Sequence, residues 1–422
     1  MRILFLSYSQ PDSFDAFCGN PKTKCPWVDT LLEELVECQN LDIALAVPIN
    51  SSDFQKCETE RITLFGLPNP KETNFFKKAF ARIAQSQENL SVNRFASQAI
   101  SEFKPDIVQI FGSENPFGLI ISEHGIPAII HIQGYLQVWQ GKWFTGITKW
   151  EQYVYADIKD LLLMSGSYHE FNLFKKRAER ESVILKNCRY FMGRTEFDKR
   201  LLSLFSPSSG YFHCEEFIRR IFFEKKWNVS LNNEVTCFSI LKGTSYKGID
   251  LLVETLMILQ THSARSFKFK ICGVSSDEEI TRMLKKKYKN QINLLNLEFL
   301  GKLNGSEMVE QLCSSNFYIH PSYIENSPNS VCEAMALGMP VISTNVGGVS
   351  SLINDNVDGI LVQEGEPYSL SAAVINLTNN YEYAKLLGEN ARKRAILRHD
   401  PEKIVNRLLD IYKTIISEND RK

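Results

Sequence analysis

Residues 320–348 read HPSYIENSPNSVCEAMALGMPVISTNVGG, and this stretch decides the fold class. It sets two carboxylates, Glu325 and Glu333, in a strand–loop–helix–strand–glycine unit. Phe317 to His320 reads as a strand, and a Pro-, Ser- and Asn-rich loop follows it. Ser330 stands three residues before Glu333, the spacing of a capping box, so a helix is predicted from about Val331. Ala334, Ala336 and Gly338 allow that helix to pack closely, and Pro340 ends it. Pro340 to Ser343 is a second strand, and Gly347-Gly348 opens a turn before the next helix. A helix start offers unpaired N–H groups and a positive dipole end. An anion beside Asn326, Ser327, Pro328, Asn329 and Ser330 would therefore be stabilised. The stretch predicts a phosphorylated ligand flanked by acids.

The alternation of strand and helix extends in both directions. Downstream of residue 234, strands are predicted at Val235 to Leu241, Phe267 to Cys272, Leu297 to Leu300 and Gly359 to Val362. Helical stretches separate them, among them the lysine-rich run Glu278 to Lys289. Upstream, Ile3 to Leu6, Ile43 to Val47, Asp106 to Phe111, Pro127 to Ile132 and Cys188 to Met192 read as strands, and 72–103 mainly as helix. Such alternation implies parallel sheets with right-handed crossovers. Ligands of these sheets bind beyond the carboxyl ends of the strands, which places the loops carrying Gly19, Glu114, His131 and Gln133 on one rim. Weak periodicity over 206–233 puts a domain boundary near 220–234. The expected organisation is 1–220, 234–398 and a terminal helix, 399–422, packing back toward the first domain.

A chain of 422 residues is long enough for two or three domains, each with its own core. The net charge of −1 and 44% apolar content describe ordinary globular material and argue against a nucleic-acid binder. Ten cysteines show no CxxC pair or zinc spacing, so reduced thiols in a cytoplasmic protein are expected. The opening apolar run is too short for a signal segment or a membrane span. Residues 135–182 interrupt the alternation with Trp139, Trp143, Phe144, Trp150, Tyr153 and Tyr155, followed by Lys175, Lys176, Arg177 and Arg180. Two readings stand: an aromatic core under long helices, or a segment of about 139–180 that meets an acceptor or the surface of a membrane.

Lys242 and Lys247 flank a glycine-containing loop that follows one strand and precedes a helix. Two cations there, with Gly243 and Gly248 letting backbone approach, suit a diphosphate better than one charge would. A pair of exposed loop lysines is the plainer alternative. Glu333 has a structural role open to it as a cap, and Glu325 shows no partner in the sequence, as a solvated loop carboxylate would. His320 reads equally as a satisfied strand-end histidine. His131 and Gln133 close a buried strand and are ligand candidates. No G-x-G-x-x-G follows the first strand, and no P-loop is present.

Glu325 and Glu333, eight apart and followed by Ala-Met-Ala-x-Gly-x-Pro-Val-Ile and Gly347-Gly348, resemble the retaining GT-B glycosyltransferases of family four, the glycosyl transferases group 1. Lys247-Gly248, Gly301 and Pro321-Ser322 fall in the family's order, and the likeness covers about 235–395. It implies an α/β, GT-B fold, two Rossmann-like domains facing each other across a cleft. It also implies sugar transfer from a nucleotide-sugar donor, uridine being the commonest base, with retained anomeric configuration. By carry-over Glu325 contacts the donor sugar, Glu333 the ribose, and Lys247 with Lys242 the diphosphate, completed by N–H groups near Asn326 to Asn329. Position 242 is Lys where relatives usually carry Arg, which keeps charge but loses bidentate geometry. Gln133 stands where relatives often carry a histidine, so either His131 or an amide makes that contact.

The resemblance implies neither a cofactor nor a metal. The partners it implies are a nucleotide-sugar donor and a saccharide or lipid-linked acceptor, in surface polysaccharide synthesis. The expected location is cytoplasmic, with peripheral contact at the inner face of the membrane. Three competing readings use the same residues. A nucleotide-sugar epimerase can share this architecture, and a non-catalytic subunit could support a partner transferase. A glycoside hydrolase would use the two glutamates as its carboxylate pair but has no use for a dilysine anion site.

Overall fold

The apolar run at the amino end becomes one of the two central strands of a large sheet in a computed structural model, which describes residues 1–11, 26–59, 61–70, 85–158 and 166–420. The chain divides into two units. One is made of Met1–Gln137, Leu173–Phe217 and His399–Lys422, and the other of Val138–Asn172 and Ile218–Arg398.

The first unit is built on eight strands: β1 (Arg2–Leu6), β2 (Asp42–Ile49), β3 (Gln55–Glu58), β4 (Ile62–Pro68), β5 (Ile107–Phe111), β6 (Ala128–His131), β7 (Tyr190–Gly193) and β8 (Gly210–His213). Their order is β3-β4-β2-β1-β5-β6-β7-β8. Every neighbouring pair is parallel except β3 with β4. β1, β5 and β6 are apolar nearly throughout because helices cover both faces of a parallel sheet. β3 and β8 lie in stretches whose mixed polarity carries no strand signal, and β4, although largely apolar, is not among the strands the sequence predicts. The helix predicted over 72–103 is described as Gln85–Phe103; residues 71–84, like Gly19, lie outside the described residues.

The helix Pro401–Asp420 completes this unit's core. Ile404, Leu408, Ile411 and Ile415 bury with Ile3, Phe5, Leu31 and Leu45, and the Tyr412 hydroxyl donates to Gln109.

The second unit holds β9 (Glu234–Ile240), β10 (Ser266–Cys272), β11 (Leu297–Gly301), β12 (Phe317–His320), β13 (Val341–Thr344) and β14 (Ile360–Val362). The order β11-β10-β9-β12-β13-β14, all parallel, is the doubly wound order in which the strand sequence reverses beside β9. At that switch point the loops after β9 and β12 meet. Residues 138–172 belong to this unit and not with 1–220 as the sequence reading grouped them. Ile147 enters the core with Val235 and Leu251, and Trp143 packs on Tyr246. Among the described residues, no helix is long and apolar enough to cross a membrane.

Candidate functional site

The loop after β9 runs through a short 3₁₀ turn, Ser245–Lys247, to Gly248 at φ +75°. A side chain at 248 would meet the Pro321 carbonyl oxygen at 2.1 Å, so only glycine lets this loop touch the one after β12. The two loops are laced together. Tyr323 N donates to Tyr246 O at 2.9 Å, and the Tyr323 hydroxyl donates to Asp250 at 2.8 Å. From β13, Thr344 Oγ1 donates to Ser322 O at 2.5 Å. Gly347, at φ +52°, lies against the Glu325 carbonyl, with no room for a Cβ.

These constraints bury Glu325 to 5% exposure and bring three donors onto its Oε1. Lys247 Nζ stands at 2.5 Å, Ser322 Oγ at 2.8 Å and His320 Nε2 at 3.0 Å. Burial pushes the Glu325 carboxyl up, but the Lys247 charge and the His320 hydrogen bond more than offset it. The group lies well below the usual carboxylate range. An ionised acceptor requires the His320 proton on Nε2. The plainer alternative, a solvated and partnerless Glu325, does not hold: the strand end, the loop and the β9 turn all point at it. His320 joins the cluster, and Ser322 is a member that spacing alone did not single out.

Glu333 also departs from its expected part. The helix begins at Asn329 with Pro328 as its cap residue, and no side chain caps it. The Ser330–Glu333 capping box does not form because the helix starts at Asn329, which puts Ser330 inside the first turn and not at the cap. Arg219 places Nε at 2.9 Å and Nη2 at 2.7 Å from Glu333 Oε1. Burial raises the Glu333 carboxyl and Arg219 lowers it, leaving it raised. Arg219 comes from the aperiodic 206–233 stretch and gave no signal in sequence. Asn326 is buried, Ser327, Asn329 and Ser330 are half-buried along the helix entrance, and Gly301 ends β11 at φ +66°. Lys242 opens the β9 loop with its side chain exposed.

Behind Lys247 a wall is formed by Trp139, Trp143 and Gln152. Trp139 stacks on Tyr246 with centroids 6.2 Å apart, and Trp143 packs at 5.8 Å. Ser245 Oγ donates to Trp143 O and receives Gln152 Nε2 at 3.2 Å. Within the aromatic segment Trp143 is core, as the first of the two readings has it, while Trp150 is 72% exposed.

In the first unit, the carboxyl ends of β5, β6 and β7 carry a second polar group. His131 is buried, and its Nε2 has no hydrogen-bond partner among the described residues. Burial and the nearby Arg194 charge hold its imidazole well below its usual pKa, so it is neutral. Gln133 Oε1 accepts from Arg194 Nη2 at 3.3 Å, and Arg194 forms a buried pair with Glu216. Glu114 follows Gly112, and its carbonyl accepts from Arg180 Nη2 at 2.5 Å, drawing that arginine out of the basic run it ends. Glu181, fully buried, accepts from Ser113 Oγ at 2.6 Å and Leu136 N at 2.7 Å. Burial pushes its carboxyl up to about 7. A cavity of about 690 Å³ in this unit opens instead at the amino ends of β1 and β2, beside Arg2, Asp42 and Lys56. It is remote from every carboxyl-end loop.

Residues 222–394 match the family described as glycosyl transferases group 1. Glycosyltransferase MJ1178 of Methanocaldococcus jannaschii is 31% identical over 150 residues, 35% of this chain and 39% of the relative. The capsular polysaccharide biosynthesis glycosyltransferase CapM of Staphylococcus aureus is 23% identical over 47% of this chain and 51% of its own. The chain thus spans about half or less of the length of these curated relatives. Anabaena HepE, solved in complex with UDP, is 12% identical with a TM-score of 0.66, over 98% of this chain and 100% of that one. The fold is GT-B.

Proposed function

We propose that the protein is a retaining, metal-independent glycosyltransferase that moves a sugar from a UDP-linked donor to a saccharide or lipid-linked saccharide acceptor in surface polysaccharide synthesis. The observation that carries this reading is the junction of Lys247, His320, Ser322 and Glu325 at the sheet's switch point, next to an uncapped helix start. The UDP bound by the HepE structure supports the choice of base. The capsular relative supports the pathway class.

Departure of a nucleoside diphosphate builds negative charge on its terminal phosphate. Lys247 gives one N–H to Glu325 and has two more donors for a phosphate oxygen. Lys242, extended from the same loop, adds charge, and the entrance from Asn326 to Ser330 adds the helix dipole. These groups favour the transition state because the charge they face grows as the bond breaks. Glu325, ionised and clamped, presents its other oxygen to sugar hydroxyls and to oxocarbenium charge without forming a covalent bond. Glu333 takes the ribose hydroxyls, with Arg219 fixing its rotamer. The acceptor attacks on the face from which the diphosphate leaves, and the leaving phosphate takes its proton. In the first unit, His131, whose Nε2 is open, or the Gln133 amide is the candidate for a sugar contact, and Glu114 a candidate for the acceptor.

A thermal-shift screen of nucleotide sugars, followed by an assay for released nucleoside diphosphate, tests the reading. Glu325→Ala is expected to abolish transfer while keeping nucleotide binding, and Lys247→Ala to weaken nucleoside diphosphate binding. Undiminished transfer by the first variant, or unchanged calorimetric affinity in the second, removes that residue from the site.

A further inference from the structure

The helix Lys149–Tyr155 is turned inside out. Its buried residue is Gln152, which donates to Ile147 O at 3.1 Å and Ser245 Oγ at 3.2 Å and accepts from Ser167 Oγ at 2.8 Å. Trp150, Tyr153 and Val154, spaced i, i+3 and i+4, line the opposite side with 72%, 53% and 51% of their surface exposed. Ile158, one turn further on, is 77% exposed. The Trp150 and Tyr153 rings stack with centroids 6.1 Å apart. A helix that packs on a soluble core turns such residues inward. Single exposed apolar residues are ordinary, but a contiguous stripe marks a contact surface.

Alongside it lies the helix Glu279–Tyr288, with Lys285, Lys286 and Lys287 in its last turn. Lys286 Nζ donates to Tyr155 O at 2.6 Å and pairs with Asp157 at 2.9 Å, and Arg282 pairs with Asp157 at 2.7 Å. Lys287 reaches Gly146 O at 2.7 Å. Across these segments Lys149, Arg282, Lys285, Lys286 and Lys287 outnumber Glu151, Asp157 and Glu279, although the whole chain carries a net charge of −1. Glu279 is already occupied by the Ser167 N–H. The stripe therefore has a positive border.

We propose that this surface docks the protein on an anionic phospholipid layer, with Trp150, Tyr153, Val154 and Ile158 in the headgroup region and Lys285 and Lys286 facing the lipid charge. Tryptophan and tyrosine suit that depth because each joins an apolar ring to a polar edge. Lysines beside them are drawn to the negative leaflet within about a Debye length. Four side chains are too small a surface for the roughly 800 Å² per partner of a stable protein interface. A lipid surface sets no such minimum and is strengthened by charge. Nothing in the docking depends on which sugar is transferred, or on transfer at all.

Sedimentation of the full chain with phosphatidylcholine vesicles, with and without phosphatidylglycerol, tests this directly. Binding is expected only to the anionic vesicles and is expected to weaken as salt rises. Lys285→Glu with Lys286→Glu should lower the partition coefficient roughly tenfold or more. Trp150→Ser with Tyr153→Ser should lower it at unchanged unfolding temperature, and Ile158→Ser, outside the helix, repeats the test should that pair not fold. No sedimentation with anionic vesicles at low salt, or equal binding by all variants, overturns the proposal. So does concentration-dependent dimerisation in light scattering that Trp150→Ser abolishes, since a second copy would then cover the stripe.

Discussion

Replacing Lys247 by methionine keeps most of the side chain's volume and deletes its charge, leaving Glu325 buried with only His320 and Ser322 for partners. Removing one member of a buried ion pair costs about 3–5 kcal/mol. Lys247 is 15% and Glu325 7% exposed in their side chains, so solvent screens little of that cost. The loss has a pH signature. In the native chain the Glu325 carboxyl is depressed, so its contribution is present above the unfolded pKa and disappears only as pH falls through the folded one. Without Lys247, burial dominates and the folded pKa rises above the unfolded value. The variant then becomes more stable as pH falls toward about 4.3. The gap between the two proteins should therefore be the full few kcal/mol at pH 8 and clearly smaller at pH 5. Native-state hydrogen exchange of amides in β9, β12 and the helix Asn329–Leu337 reads the opening energy of this unit alone. A gap below about 1 kcal/mol, the size of an exposed pair, or one equal at both pH values, would refute the reasoning.

Arg219→Met should destabilise the same unit by about 3 kcal/mol, and Arg219→Met with Glu333→Leu should recover most of it; simple additivity in a double-mutant cycle would show that the pair is not coupled. Gly347→Ala forces a side chain onto the Glu325 carbonyl at positive φ, and a loss of more than about 1 kcal/mol is expected by the same exchange measurement. Glu181, raised to about 7 by burial, contributes stability that is complete below its unfolded pKa and lost as pH rises through about 7. The first unit should thus weaken by about 3 kcal/mol between pH 4.5 and pH 8, and Glu181→Gln should flatten that slope in calorimetry.

The chain's alternation of apolar runs and helical stretches made both parallel sheets legible, because strands buried on two faces leave nothing polar to blur the pattern. β3 and β8 escaped since they are short and partly exposed, while β4, seven residues long and mostly buried, carries Gly66 and Pro68, which read as turn residues. The meeting of Lys247 with the Glu325 loop was legible too, for strand ends of one sheet converge. What could not be read was competition for a carboxylate. Glu333 has capping-box spacing, yet the helix starts ahead of Ser330, and Arg219, 114 residues away in sequence, holds the carboxylate. Among the described residues, capping boxes do form at Thr148/Glu151, Thr195/Asp198 and Asn304/Glu307, where the Thr or Asn stands at the cap itself. Gln152 was opaque for the same reason: its polar contacts lie outside its own helix.

The helix Pro401–Asp420 has a consequence for the order in which the protein comes into being. The first unit's sheet leaves the ribosome by about residue 217, but Ile404, Leu408, Ile411 and Ile415, which seal its core, follow the whole of 218–398. At translation rates of about 5–20 residues per second, that core stays open for roughly 10–40 s. The second unit has every one of its segments in hand before then. In a growing chain, the part made first is finished last.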